Sequence, residues 1–92
     1  MIFDDIDMQI LKENFSEELL KQIDTENTDK IFNYLNNNNI YYAKDLFLSS
    51  LDLFLLPCEV FIKKFEHLKE VLGKDFVDKL GEDSSLINIM YR

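Results

Sequence analysis

Pro57-Cys58-Glu59-Val60-Phe61-Ile62-Lys63-Lys64-Phe65-Glu66-His67-Leu68-Lys69-Glu70-Val71-Leu72-Gly73 is the stretch that decides the fold class of this chain. Phe61, Phe65, Leu68 and Leu72 recur at spacings of four, three and four, which aligns them on one face of a helix and matches no strand period. The ends are marked as well. Pro57 suits a first helical position, Glu59 a first turn, and Gly73 the left-handed residue that closes a helix. The stretch predicts an amphipathic helix over 57–72 whose apolar stripe needs other helices to cover it.

Outward from this helix, the rest of the chain reads the same way. Ile6, Ile10 and Leu11 predict a first helix, and Ser16 before Glu17 and Glu18 reads as the cap of a second that carries Leu19, Leu20 and Ile23. Thr28 with Asp29 reads as the cap of a third, holding Ile31, Phe32 and Leu35. It runs into Asn36-Asn37-Asn38-Asn39, where asparagine tolerates left-handed backbone. A further helix is expected over 40–48, and Ser49-Ser50 permit a new start for the apolar piece 51–56. Beyond Gly73, a short helix carries Phe76, Val77 and Leu80. Gly81 is expected to stop it, Glu82-Asp83 to act as capping residues, and Ser84 or Ser85 to open a terminal turn through Leu86, Ile87 and Ile89. The expected fold is all-α, a compact bundle of about five to six short helices in one domain spanning 1–92. Within it, 1–30 is the acidic part and 31–92 the helical core.

Phe32 and Leu35 stand 33 residues before Phe65 and Leu68, Leu46 stands 34 before Leu80, and Ser49-Ser50-Leu51 stands 35 before Ser84-Ser85-Leu86. Helical repeats have periods of this size. The leucine-rich helix, turn, helix pattern resembles mitochondrial-termination-factor-like and other α-repeat modules. That resemblance implies two stacked helical hairpins with an acidic N-terminal helical extension. Chance likeness between two amphipathic helices accounts for the spacing equally well.

The chain has 92 residues, a net charge of −8 and 47% apolar side chains. Its eight Phe and four Tyr supply dense packing, because each buried aromatic removes roughly 150–250 Å² from water. The single cysteine, Cys58, excludes an internal disulfide, and no Cys and His residues have the spacing of a zinc site, which fits a reducing cytoplasm. Met1-Ile2-Phe3-Asp4-Asp5-Ile6-Asp7 lacks the basic start and apolar stretch of a secretory signal. The most apolar window, 46–62, is interrupted by Asp52, Pro57 and Glu59 and is too short for a ~30 Å hydrocarbon core. A cytoplasmic location without membrane contact is expected.

Charge is unevenly placed. Residues 1–30 hold nine acidic and three basic side chains, 31–60 three and one, and 61–92 six and six. Asp4, Asp5, Asp7, Glu13, Glu17, Glu18, Asp24, Glu26 and Asp29 would repel nucleic acid and attract a basic surface. Acidic residues also gather at helix N-termini and keep small proteins dispersed, so solubility alone is the competing reading. Direct nucleic-acid binding would have to rest on Lys63, Lys64, Lys69, Lys74 and Lys79, against the charge of the whole chain.

The inventory for catalysis is thin. His67 is the only histidine and is expected to pack its ring at the edge of the helix's apolar face. Cys58 sits at a helix N-terminus, which lowers a thiol pKa, but Glu59 is adjacent and the next basic residue is Lys63. Asp4, Asp5 and Asp7 lack the rest of a calcium loop, and Gly73 and Gly81, the only glycines, form no phosphate loop. Neither an enzyme nor a cofactor nor a metal site is expected.

Tyr41 and Tyr42 cannot both face the core of a regular helix, so one is expected on the surface, where tyrosine favours interfaces. The resulting expectation is a non-enzymatic, acidic protein-binding module that docks on a basic surface of a nucleic-acid-processing enzyme. Its contacts would come from the nine acidic residues together with Tyr41 and Tyr42. Its physical type is similar to that of phage anti-defence and anti-CRISPR inhibitors and of immunity proteins, without a shared motif. Eight Asn and nine Ile fit an AT-rich bacterial or phage genome. The alternative is a structural or regulatory subunit that forms a homodimer, or docks on a larger complex, through 51–56.

Overall fold

Phe61, Phe65, Leu68 and Leu72 are all buried, on a 15-residue helix that runs from Cys58 to Leu72. Burying four such side chains contributes roughly 1.5–3 kcal/mol each, so this helix is the axis on which the others assemble. The computed structural model describes residues 5–91. In chain order these form α1 (Asp5–Asn14), α2 (Glu17–Lys21), α3 (Thr25–Asn37), α4 (Ala43–Ser49), α5 (Leu51–Phe54), α6 (Cys58–Leu72), α7 (Phe76–Glu82) and a closing 3-10 helix (Ser84–Tyr91). There is no strand among the described residues. The all-α compact bundle is what the sequence predicts; the described residues form seven α-helices and a 3-10 helix against the expected count of about five to six helices, and α2 and α5 fall at two of the separate starts the sequence offers.

The helices repeat in order as well as in kind. Thr25 and Cys58 open the long helices, Ala43 and Phe76 the seven-residue ones, and Leu51 and Ser84 the short third elements, each pair 33 residues apart. Between the long and the short helix, each unit reverses through a positive φ, Asn39 at 65° and Gly73 at 81°. α3 lies against α6, α3 against α4 and α6 against α7, so the chain is two helical hairpins side by side. α1 and α2 precede them, with α1 packed on α4.

The core runs through both units. Phe47, Phe54, Phe61 and Phe65 form a continuous series of ring contacts, with successive centroids 5.2, 5.3 and 6.0 Å apart. Ile31, Leu35, Ile40, Leu51, Leu68 and Leu80 fill the space around them. Lys69 Nζ donates to Glu66 and Asn38 at 2.9 and 2.7 Å, and Tyr34 donates its hydroxyl to Glu66, which stitches α3 to α6 on the outside.

Three local readings are corrected. α3 begins at Thr25, with Asp24 accepting the Asn27 N–H at 3.3 Å, while Thr28 is fully buried inside the helix and caps nothing. α4 begins at Ala43 because Ile40 is buried in the turn that Asn39 makes. Gly81 does not stop α7, which continues through it to Glu82; its absent side chain leaves room for the Tyr42 ring.

Candidate protein-binding surface

Two caps orient the acidic end. Ser16 accepts the Leu19 N–H at 3.3 Å to start α2, and Asp24 starts α3 after a short connection. Glu17, Glu18 and Glu26 then fall in first turns, where the helix dipole favours negative charge. Asp5, Glu13, Glu17, Glu18, Asp24 and Glu26 are exposed. Glu13 accepts from Gln9, and Glu26 faces Lys30 at 3.9 Å, one turn along its own helix.

Asp7 departs from the expected surface. It is 7% exposed and its carboxylate lies 2.6 Å from Lys44 Nζ, so it ties α1 to α4. Spacing did not reveal this, because Lys44 lies far along the chain; the hint was an acid on the same helical face as Leu11. Asp29 is half-buried. Asp4 lies outside the described residues.

The tyrosine pair divides as expected. Tyr41 is 84% exposed, and its ring meets that of Tyr42 edge-on at 4.9 Å. Tyr42 is half-buried and donates its hydroxyl to Val77 O at 2.6 Å, joining α4 to α7. Burial, with Tyr41 and Asp78 nearby, pushes its phenol up to about 12. Of the two, Tyr41 is the one on the surface.

The apolar piece 51–56 is not an open docking face. Leu51, Leu53 and Phe54 are buried in the core, and Leu55 and Leu56 pack against it. Cys58 is half-buried, its N–H held by Asn27. Lys69 is engaged at the α3–α6 seam, and Lys79 donates to Leu72 O at 2.7 Å at the end of α6. Two of the five lysines that a nucleic-acid face would need are thus held by the fold.

His67 sits at the edge of a groove rather than in the core. Val60, Lys63, Lys64, His67 and Met90 line it, where the closing 3-10 helix folds back on α6. Sequence patterning does not reveal this groove, because it depends on where Met90 lands. Among the described residues, no three His, Cys, Asp or Glu side chains are grouped to hold a metal ion, and no helix is long and apolar enough to cross a membrane.

Fold and surface together define a two-unit helical array with an acidic N-terminal end. Compared with known proteins, the chain matches no family model, no curated protein and no solved structure.

Proposed function

We propose that this chain is a cytoplasmic, non-enzymatic binding module that docks its acidic end on a basic surface of a nucleic-acid-processing enzyme and inhibits it, as phage anti-defence or immunity proteins do. The observation that carries the reading is the outward display of Glu17, Glu18, Asp24 and Glu26 on consecutive helix starts. The Ser16 and Asp24 caps fix where α2 and α3 start, so the first-turn carboxylates project together toward a site that accepts phosphates. Tyr41 is a further contact, distinct in kind from the charged ones.

The test is an affinity pull-down from host lysate eluted by a salt gradient. A nucleic-acid enzyme released at modest salt is expected, because exposed charge attraction is screened beyond ~8–10 Å at physiological ionic strength. Changing Glu17, Glu18 and Asp24 to Lys should abolish its capture while circular dichroism stays helical. Unchanged capture by that variant removes the proposal.

A further inference from the structure

Val60, Lys64, His67 and Val71 recur at spacings of four, three and four, the spacing of the core stripe displaced by one residue. α6 therefore carries a second stripe beside the first. Val60 is 39% and Val71 55% exposed. Lys63, Lys64 and His67 flank a groove of about 260 Å³ whose apolar floor is Val60 and Met90. α3 covers the other flank of α6, through Tyr34 against Phe61 and Phe65 and its bond to Glu66. The second stripe thus lies on the side where a following unit of a helical array would stack.

A complementary surface is present on the same molecule. α1 turns Leu11 and Asp7 inward and leaves Ile6 68% exposed, the most exposed aliphatic side chain of the described residues. Asp5 and Glu13 are exposed on the same helix. An apolar knob among carboxylates matches an apolar floor among cations in both shape and charge.

We infer that the groove between α6 and the closing 3-10 helix receives α1 of a second copy of this chain. Ile6 of one copy packs on Val60 of the other, over the buried Met90 side chain, and Asp5 and Glu13 face Lys63 and Lys64. Each copy carries both halves of the contact, so a closed pair fills both grooves while each α1 stays packed on its own α4. Glu17, Glu18 and Asp24 take no part, which leaves the acidic docking surface on α2 and α3 available to a partner.

The test is sedimentation of the full chain over a series from micromolar to hundreds of micromolar, at low salt. Self-association is expected, weakened roughly tenfold or more by Lys63→Glu with Lys64→Glu, and likewise by Asp5→Lys with Glu13→Lys. Mixing the two variants restores association, because each then offers the other an opposite charge at both contacts. Ile6→Asp should also dissociate the pair with helicity intact. A wild-type chain that stays monomeric, or variants that fail to associate when mixed, overturns the inference. Neither result bears on capture of an enzyme partner, which is read with the Glu17, Glu18 and Asp24 variant.

Discussion

Asn27 and Cys58, 31 positions apart, are joined by a hydrogen bond in which the Cys58 N–H donates to Asn27 Oδ1 at 2.8 Å. The same amide donates through Nδ2 to Leu56 O, also at 2.8 Å. One side chain of α3 therefore closes the connection from α5 and opens α6, where Pro57 supplies no side-chain cap. Asn27→Leu should lower stability by about 2 kcal/mol, the sum expected for two part-buried hydrogen bonds. Urea unfolding should show a lower midpoint at unchanged slope. Asn27→Asp keeps the acceptor and loses the donor, so its midpoint should fall between the two.

Asp7 and Lys44 give a second prediction. Removing the lysine leaves a carboxylate with little water around it, whereas removing both partners does not. Lys44→Ala should cost about 2 kcal/mol, a figure reduced from that of a fully buried pair because the Lys44 side chain is 48% exposed. The Asp7→Asn, Lys44→Ala double variant should be more stable than Lys44→Ala alone, as read by thermal midpoints near neutral pH.

The contrast between these two contacts shows which parts of the fold are legible in the sequence. α6 is readable to within a residue, because four buried side chains, a proline and a glycine all report on local geometry. The two-unit period is visible in the 33-residue spacing of Leu35 and Leu68. Asp7, Thr28 and Gly81 mislead for a common reason: the local signal of each is overruled by a residue far away in sequence. Lys44 draws Asp7 inward, packing buries Thr28, and Tyr42 occupies the place of a Gly81 side chain. Groove and acidic surface differ likewise, since the second is a property of composition and the first depends on the return of Met90 to α6.

The two glycines should respond differently to alanine. Gly73 has φ 81° and ψ −160°, a region essentially reserved for glycine, and a Cβ there would meet nothing within 4 Å. Gly73→Ala should cost about 1–3 kcal/mol through backbone strain alone. At Gly81 a Cβ would lie 3.1 Å from the Tyr42 ring, so the helix-propensity gain of about 1 kcal/mol is offset by crowding. Gly81→Ala should be near neutral in the parent and stabilising in a Tyr42→Leu background, a difference that a double-mutant cycle measures.

Tyrosine burial fixes the alkaline limb of stability. Tyr42 is raised to about 12, and Tyr34 and Tyr91 move in the same direction, through burial first and then their hydrogen bonds to Glu66 and Asp52. Unfolded phenols titrate near about 10, so stability is full below that pH and falls as pH rises through the folded values. Tyr42→Phe should lower stability at neutral pH by about 1 kcal/mol for the lost bond to Val77, yet flatten its decline between about pH 10 and 12. Glu66 behaves oppositely, held below the usual carboxylate range by the Tyr34 hydroxyl and then Lys69. Its contribution is present above the unfolded value of about 4.3 and lost as pH falls through the lower folded one, so Glu66→Gln should flatten the acid limb. Thermal midpoints across pH, with phenolate absorbance on the alkaline side, check both.

The 33-residue recurrence of the helices also sets the order in which the molecule assembles. Each hairpin closes with partners a few residues away, so α3 with α4, and α6 with α7, can form before the units meet. The α3–α6 seam, the Asn27 clamp, the Asp7–Lys44 pair and the Tyr42 and Tyr91 hydrogen bonds bring distant segments together. A topology so rich in nearby partners folds on a timescale of roughly microseconds to milliseconds. The meeting of the two halves is then expected to be the slow event, and Asn27 sits where they meet.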